Sequence, residues 1–137
     1  MFGSLVLIAE DERDIREFLA VALQVSGFNV VEARNGEEAI ALANSQRPDL
    51  ILLDIRMPKV TGFEACEILK ANPDTRNIPI VFLSAFAHKD EVQRGLQIGA
   101  EEYLTKPIAP DVLTQRVSVL LERFKLMPDK VKVPLWA

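Results

Sequence analysis

Apolar residues in this chain fall into short unbroken runs, separated by longer stretches in which they recur every three or four positions. Runs at residues 4–9 (SLVLIA), 28–33 (FNVVEA), 50–55 (LILLDI) and 78–83 (IPIVFL) have the length and composition of strands. The third and fourth show no alternation, which fits strands covered on both faces. A fifth run, residues 101–105 (EEYLT), is more polar and fits the edge of a sheet. Between the runs the period changes. Ile15, Phe18, Leu19, Ala22 and Leu23 mark the apolar face of a helix that ends at Gly27, and Ala39, Ile40 and Ala43 mark another over residues 37–45, closed by Pro48. Residues 63–69 form a third helix ending near Asn72 and Pro73, and residues 89–98 a fourth ending at Gly99. The last covers residues 111–125, with Leu113, Val117, Leu120 and Phe124 on one face. Strands alternating with helices imply right-handed crossovers, a parallel sheet and an α/β fold.

One residue breaks the most apolar of these runs. A carboxylate at Asp54, after Leu50 to Leu53, costs free energy unless a cation or several donors meet it. Pro58 and Gly62 end the strand just beyond, so Asp54 lies at its carboxyl end, where ligands and chemistry collect in open parallel sheets. The other strands deliver polar groups to the same edge: Glu10 and Asp11 after the first, Ser84 after the fourth and Lys106 after the fifth. Glu10, Asp11 and Asp54 would repel one another if bare, and an oxygen-only carboxylate set suits Mg²⁺. Lys106 and Ser84 offer a charge and a hydroxyl to an added anion.

Length and composition narrow the classes. The 137 residues allow one domain with a real core, taken as residues 1–126, with 127–137 as a tail or the start of a linker. That tail carries Pro128, Pro134, three charges and the only tryptophan, Trp136, and is expected to be flexible. A net charge of −4 argues against direct nucleic-acid contact by this domain. No run approaches membrane-spanning length, and the single cysteine, Cys66, fits core filler in a reducing, cytoplasmic setting.

Taken together, the acidic pair Glu10-Asp11, the segment Asp54-x-x-Met57-Pro58-x-x-x-Gly62, the pair Ser84-Ala85 and Lys106-Pro107 resemble the receiver domains of two-component response regulators. The resemblance covers roughly residues 4–126 and implies a doubly wound, flavodoxin-like sheet with strand order 2-1-3-4-5. It implies Asp54 as phosphoacceptor, and Mg²⁺ held by Glu10, Asp11, Asp54 and the backbone carbonyl of Arg56. It implies Lys106 paired with the phosphoryl group, a cis bond to Pro107, and a switch formed by Ser84 and Tyr103. The implied donor is a sensor histidine kinase or histidine phosphotransfer protein. The implied output runs through the fourth helix, fifth strand and fifth helix to an effector domain, a downstream protein or a second copy in a homodimer. Any turnover would be self-phosphorylation from small donors and autodephosphorylation. Arg56 and Phe86 flank the site less typically, and a bulky Phe86 could shield it and lengthen the signal.

Blander readings stand beside these. An acidic triplet such as Glu10-Asp11-Glu12 is ordinarily a solvated helix start, Ser84 alone a cap, Tyr103 alone a half-buried strand aromatic, and His88 a surface residue at a helix start. Two other functions compete. A phosphohydrolase of the haloacid-dehalogenase type would place a second aspartate two residues after the nucleophile, where Arg56 stands. A pseudo-receiver that only binds partners need not keep the carboxylates.

Overall fold

The computed structural model describes residues 3–85 and 88–126, the last two for their backbone only. Phe86 and the expected tail with Trp136 lie outside the described residues. In chain order the elements are β1 (Leu5–Ala9), α1 (Arg13–Val25), β2 (Asn29–Ala33), α2 (Gly36–Gln46), β3 (Leu50–Asp54), α3 (Gly62–Ala71), β4 (Ile80–Ser84), α4 (Lys89–Ile98), β5 (Glu102–Thr105) and α5 (Pro110–Leu126). The strands pair in parallel in the order β2-β1-β3-β4-β5, which puts the polar fifth strand at an edge as its sequence requires.

Register explains why the polar strand ends meet. Ala9 pairs with Leu53, Asp54 with Leu83, and Ser84 with Thr105. Glu10, Asp54, Ser84 and Lys106 therefore occupy neighbouring positions along one edge, and Lys106 N–H donates to the Ser84 carbonyl at 2.7 Å. Alternate strand residues feed opposite layers. Leu7, Ile51, Leu53 and Phe82 pack with Ala39, Ala43, Phe63 and Leu69 of α2 and α3. Val6, Ile8, Leu50, Leu52, Val81 and Leu83 pack with Leu19, Leu23, Leu113, Val117 and Leu120 of α1 and α5.

One sequence expectation fails locally, and one helix end gains a detail the sequence does not announce. Phe18, read as part of the buried face of α1, is 51% exposed, because the helix lies on the sheet through Leu19, Ala20 and Leu23. The end of α2 is set by Arg47 in the left-handed conformation (φ 47°), with its N–H on the Ala43 carbonyl, so the turn comes one residue before Pro48. Other boundaries follow local chemistry. Asn35 caps α2 by accepting from Glu38 N–H at 2.8 Å, and Thr61 and Glu64 form a reciprocal capping box at the start of α3. No described helix is long and apolar enough to cross a membrane.

The capping box delivers α3 onto the strand end that carries Asp54. A Cβ on Gly62 would run into the Asp54 carbonyl and come within 2.7 Å of the Ile55 Cα. Backbone cannot yield as a flexible side chain can. Gly62→Ala is expected to lower stability by roughly 1–3 kcal/mol, the usual range for overpacking, measured by urea unfolding.

Candidate functional site

Glu10 and Asp54 are buried at the carboxyl edge of the sheet, 2% and 6% exposed, while Asp11 stands open beside them. One carboxylate oxygen from each lies within 4.8 Å of the others. At that spacing in a partly dry site, three negative charges repel strongly. Among the described residues the nearest cation is Lys106, whose Nζ donates to Glu10 Oε1 and lies 3.4 Å from Asp54 Oδ1. The second Glu10 oxygen accepts from Glu12 N–H at 3.1 Å, at the entry to α1.

The electrostatic consequence falls on Asp54. Burial pushes its carboxyl up, the Glu10 charge adds to the push, and Lys106 only partly offsets them, leaving it at about 7. For Lys106, burial works against the charged form. The hydrogen bond to Glu10 and the charges of Asp54 and Glu10 outweigh that burial and raise it above the ordinary lysine value. Four ionisable groups thus share too little positive charge among them. The donor set is all oxygen, contains two buried carboxylates and opens to solvent at Asp11, and it fits a hard divalent cation such as Mg²⁺.

The remaining expected residues lie on or beside β3, β4 and β5. Ser84 is buried at the end of β4, and the Lys106–Pro107 peptide is cis. Tyr103 is half-buried on β5, its ring 6.3 Å from that of Phe82. Phe82 in turn meets Phe63 edge-on at 5.3 Å, and the Arg94 guanidinium of α4 sits 4.6 Å over Phe63. A Cβ on Gly95 would approach the Phe82 ring to 2.9 Å, so α4 rides close against β4 at this point. Arg56, two residues beyond Asp54, is exposed and pairs with Glu91 of α4 at 3.2 Å.

Two residues read blandly, His88 and Cys66, behave so. His88 is exposed at the start of α4 with no side-chain cap, and Cys66 is fully buried, its thiol pushed up by that burial to about 12. Sequence reasoning missed Arg16 of α1, whose Nη1 donates to the Glu10 carbonyl at 2.9 Å. A cation one turn into α1, flanked by Ile15, was the only signal available. It also missed a partly buried pair at the opposite edge, where buried Glu101 accepts from Ile80 N–H and from Lys70.

Burial and the Glu10 charge raise the Asp54 carboxyl from its ordinary value near 4 to about 7 in the folded protein. Between those values the folded state holds the proton more tightly, so stability falls as pH rises through the interval. Metal-free wild type should therefore lose stability from pH 4 to 7 relative to Asp54→Asn, checked by urea unfolding in chelator. Parallel profiles for the two proteins would contradict the assignment.

Known proteins resemble the chain in sequence and in fold. The model of the response regulator receiver domain family matches residues 6–118. The chain is 42% identical over 123 residues to the phosphate regulon transcriptional regulatory protein PhoB of Pseudomonas aeruginosa, covering 90% of this chain and 54% of that protein. It is 35% identical over 129 residues to the probable transcriptional regulator ycf27 of Porphyra purpurea, covering 94% and 52%. It thus spans about half the length of these relatives. Among solved structures, the signal receiver domain of a signal transduction histidine kinase from Syntrophus aciditrophicus superposes with a TM-score of 0.84 at 34% identity, covering 96% of this chain and 98% of that one. The chemotaxis protein CheY4 of Vibrio cholerae gives 0.82 at 32% identity, covering 85% and 98%. With the family model matched along most of its length and the fold in agreement, the chain belongs to the response regulator receiver domain family.

Proposed function

We propose that Asp54 is the phosphoacceptor of a Mg²⁺-assisted switch, charged by a histidine of a sensor kinase or histidine phosphotransfer protein. The observation that carries this reading is the gathering of three carboxylates and one lysine at a single sheet edge. An Asp54 oxygen forms a bond to phosphorus while the bond from phosphorus to the donor's imidazole nitrogen breaks, and the electron pair returns to the ring. Glu10, Asp11, Asp54 and the Arg56 backbone carbonyl would hold Mg²⁺, which would supply charge neutralisation for the phosphoryl oxygens. Lys106 leaves Glu10 and pairs with the phosphoryl group. Ser84 donates its hydroxyl to the same group, and Tyr103 turns inward beside Phe82 as the hydroxyl moves.

The face formed by α4, β5 and α5 then passes the change to an effector domain, a downstream protein or a second copy. Residues 1–126 serve as the switch unit, and residues 127–137 as a tail or the start of a linker. Nucleic-acid contact would fall to an effector, because this domain is acidic. The setting is the cytoplasm, and the only turnover is uptake from small donors and loss to water. Arg56 carries no carboxylate where a hydrolase would need its proton carrier.

The donor must bring its histidine to the rim, and an apolar strip leads there. Phe18, Val21 and Val25 lie on one exposed face of α1, at 51%, 56% and 82% exposure, and Phe18 also joins Ile15 and Ile108 beside Lys106. A helix of the donor fits this strip through residues spaced by one turn.

Incubation with acetyl phosphate and Mg²⁺ should add one phosphoryl group to the wild type, seen by intact mass spectrometry. Asp54→Asn should add none, and modification surviving in that variant would place the acceptor elsewhere. Val21→Asp should slow transfer from the cognate kinase by about tenfold, equivalent to roughly 1.4 kcal/mol, while acetyl phosphate uptake stays at the wild-type rate.

A further inference from the structure

The backbone of Glu10 is gripped from both sides. Its N–H donates to the Ala33 carbonyl of β2 at 3.1 Å, extending the β1 ladder by one bond. Its carbonyl, which has left the ladder, accepts from Arg16 Nη1 at 2.9 Å. The other side of the same guanidinium reaches Glu32 Oε1 at 3.3 Å. Glu32 lies on β2 opposite Ile8 of β1, so the strand next to the acidic turn holds the arginine in place. Arg16 is 12% exposed and Glu32 39%, which leaves the buried end of the guanidinium on Glu10 and the wetter end on its anchor.

A simple ion pair does not account for this placement. Half-exposed pairs contribute little to stability, and pairing with Glu32 alone would not require burial of the guanidinium. Glu10 does have a need for it. The glutamate stem has one more rotatable bond than an aspartate, and its carboxylate must reach between Lys106 and Asp54. Fixing the peptide from which that stem springs narrows where the carboxylate can go. The planar fork of arginine can hold a carbonyl and a carboxylate at once, whereas lysine is a point donor.

We infer that Arg16, anchored by Glu32, is a positioning residue that aims the Glu10 carboxylate at the divalent-cation site. The inference rests on the proposal that Glu10, Asp11 and Asp54 hold Mg²⁺. Arg16 touches neither the cation nor the phosphoryl group, and its effect passes through the Glu10 peptide.

Calorimetric titration of metal-free protein with MgCl₂ tests it. Wild type must bind first; if it does not, the metal-site proposal itself fails, and the role of Arg16 is not what failed. Given wild-type binding, Arg16→Gln should weaken Mg²⁺ affinity by about tenfold, as loss of an outer partner commonly does. Glu32→Gln should weaken it less, and adding it to Arg16→Gln should cost nothing more, because the anchor acts only through the arginine. Arg16→Lys should recover only part of the affinity. With acetyl phosphate, the Arg16→Gln variant should need more Mg²⁺ for half-maximal rate yet approach the wild-type rate at saturation. Unchanged affinity in Arg16→Gln, independent and additive losses in the double variant, or full recovery with lysine would each overturn the inference. If Arg16→Gln does not fold, Glu32→Gln decides: unchanged affinity there overturns it.

Discussion

Negative charge crowded at the edge of a hydrophobic sheet is the constraint around which this domain is built. Two of the carboxylates, Glu10 and Asp54, are almost wholly removed from water, and a third stands open beside them. Such a group is tolerated only when cations or donors meet it. Among the described residues the compensation is Lys106, which bridges Glu10 and Asp54 from the end of β5, helped by the Glu12 N–H. One ammonium does not balance three carboxylates, and the imbalance shows in the upward push on Asp54. The same deficit underlies the proposal that the edge takes up a divalent cation and, with it, phosphoryl oxygens.

The packing around the edge holds its charges in place and ties them to the output face. Gly62 lets α3 close on the backbone of Asp54, and the capping box of Thr61 and Glu64 fixes the direction of that approach. From there contacts run without a gap through Phe63, Phe82 and Tyr103 to β5, and through Arg94 and Gly95 to α4. Arg56 adds a second tie, from the loop after Asp54 to Glu91. A change of charge at Asp54 therefore meets elements that are already in van der Waals and ionic contact with the face proposed to carry the signal.

Much of this was legible in the residues. Continuous apolar runs located the buried strands, the polarity of residues 101–105 located an edge, and the polar residues closing or following four of the five strands marked the candidate site. These features follow from local pattern plus one topological rule, so no distant contact had to be guessed. What escaped the sequence depends on distant partners or on small angles. Phe18 has the right spacing for the core, but the rotation of α1 about its axis leaves it outside, and only the packed sheet fixes that rotation. Arg47 ends α2 in a conformation that its residue type does not announce. The links from Arg16 to Glu10 and Glu32, and from Lys106 to Glu10, join residues whose charges look ordinary until the fold brings them together.

The central claim is that the clustered carboxylates are relieved by a shared divalent ion. Thermal unfolding of metal-free protein at rising MgCl₂ concentration tests it most directly, because an ion bound only by the folded state must stabilise it. The account predicts a midpoint that climbs with MgCl₂ in the wild type and stays nearly flat in the double variant Glu10→Gln/Asp11→Asn. A wild-type midpoint indifferent to magnesium, or an equal climb in the double variant, would contradict it.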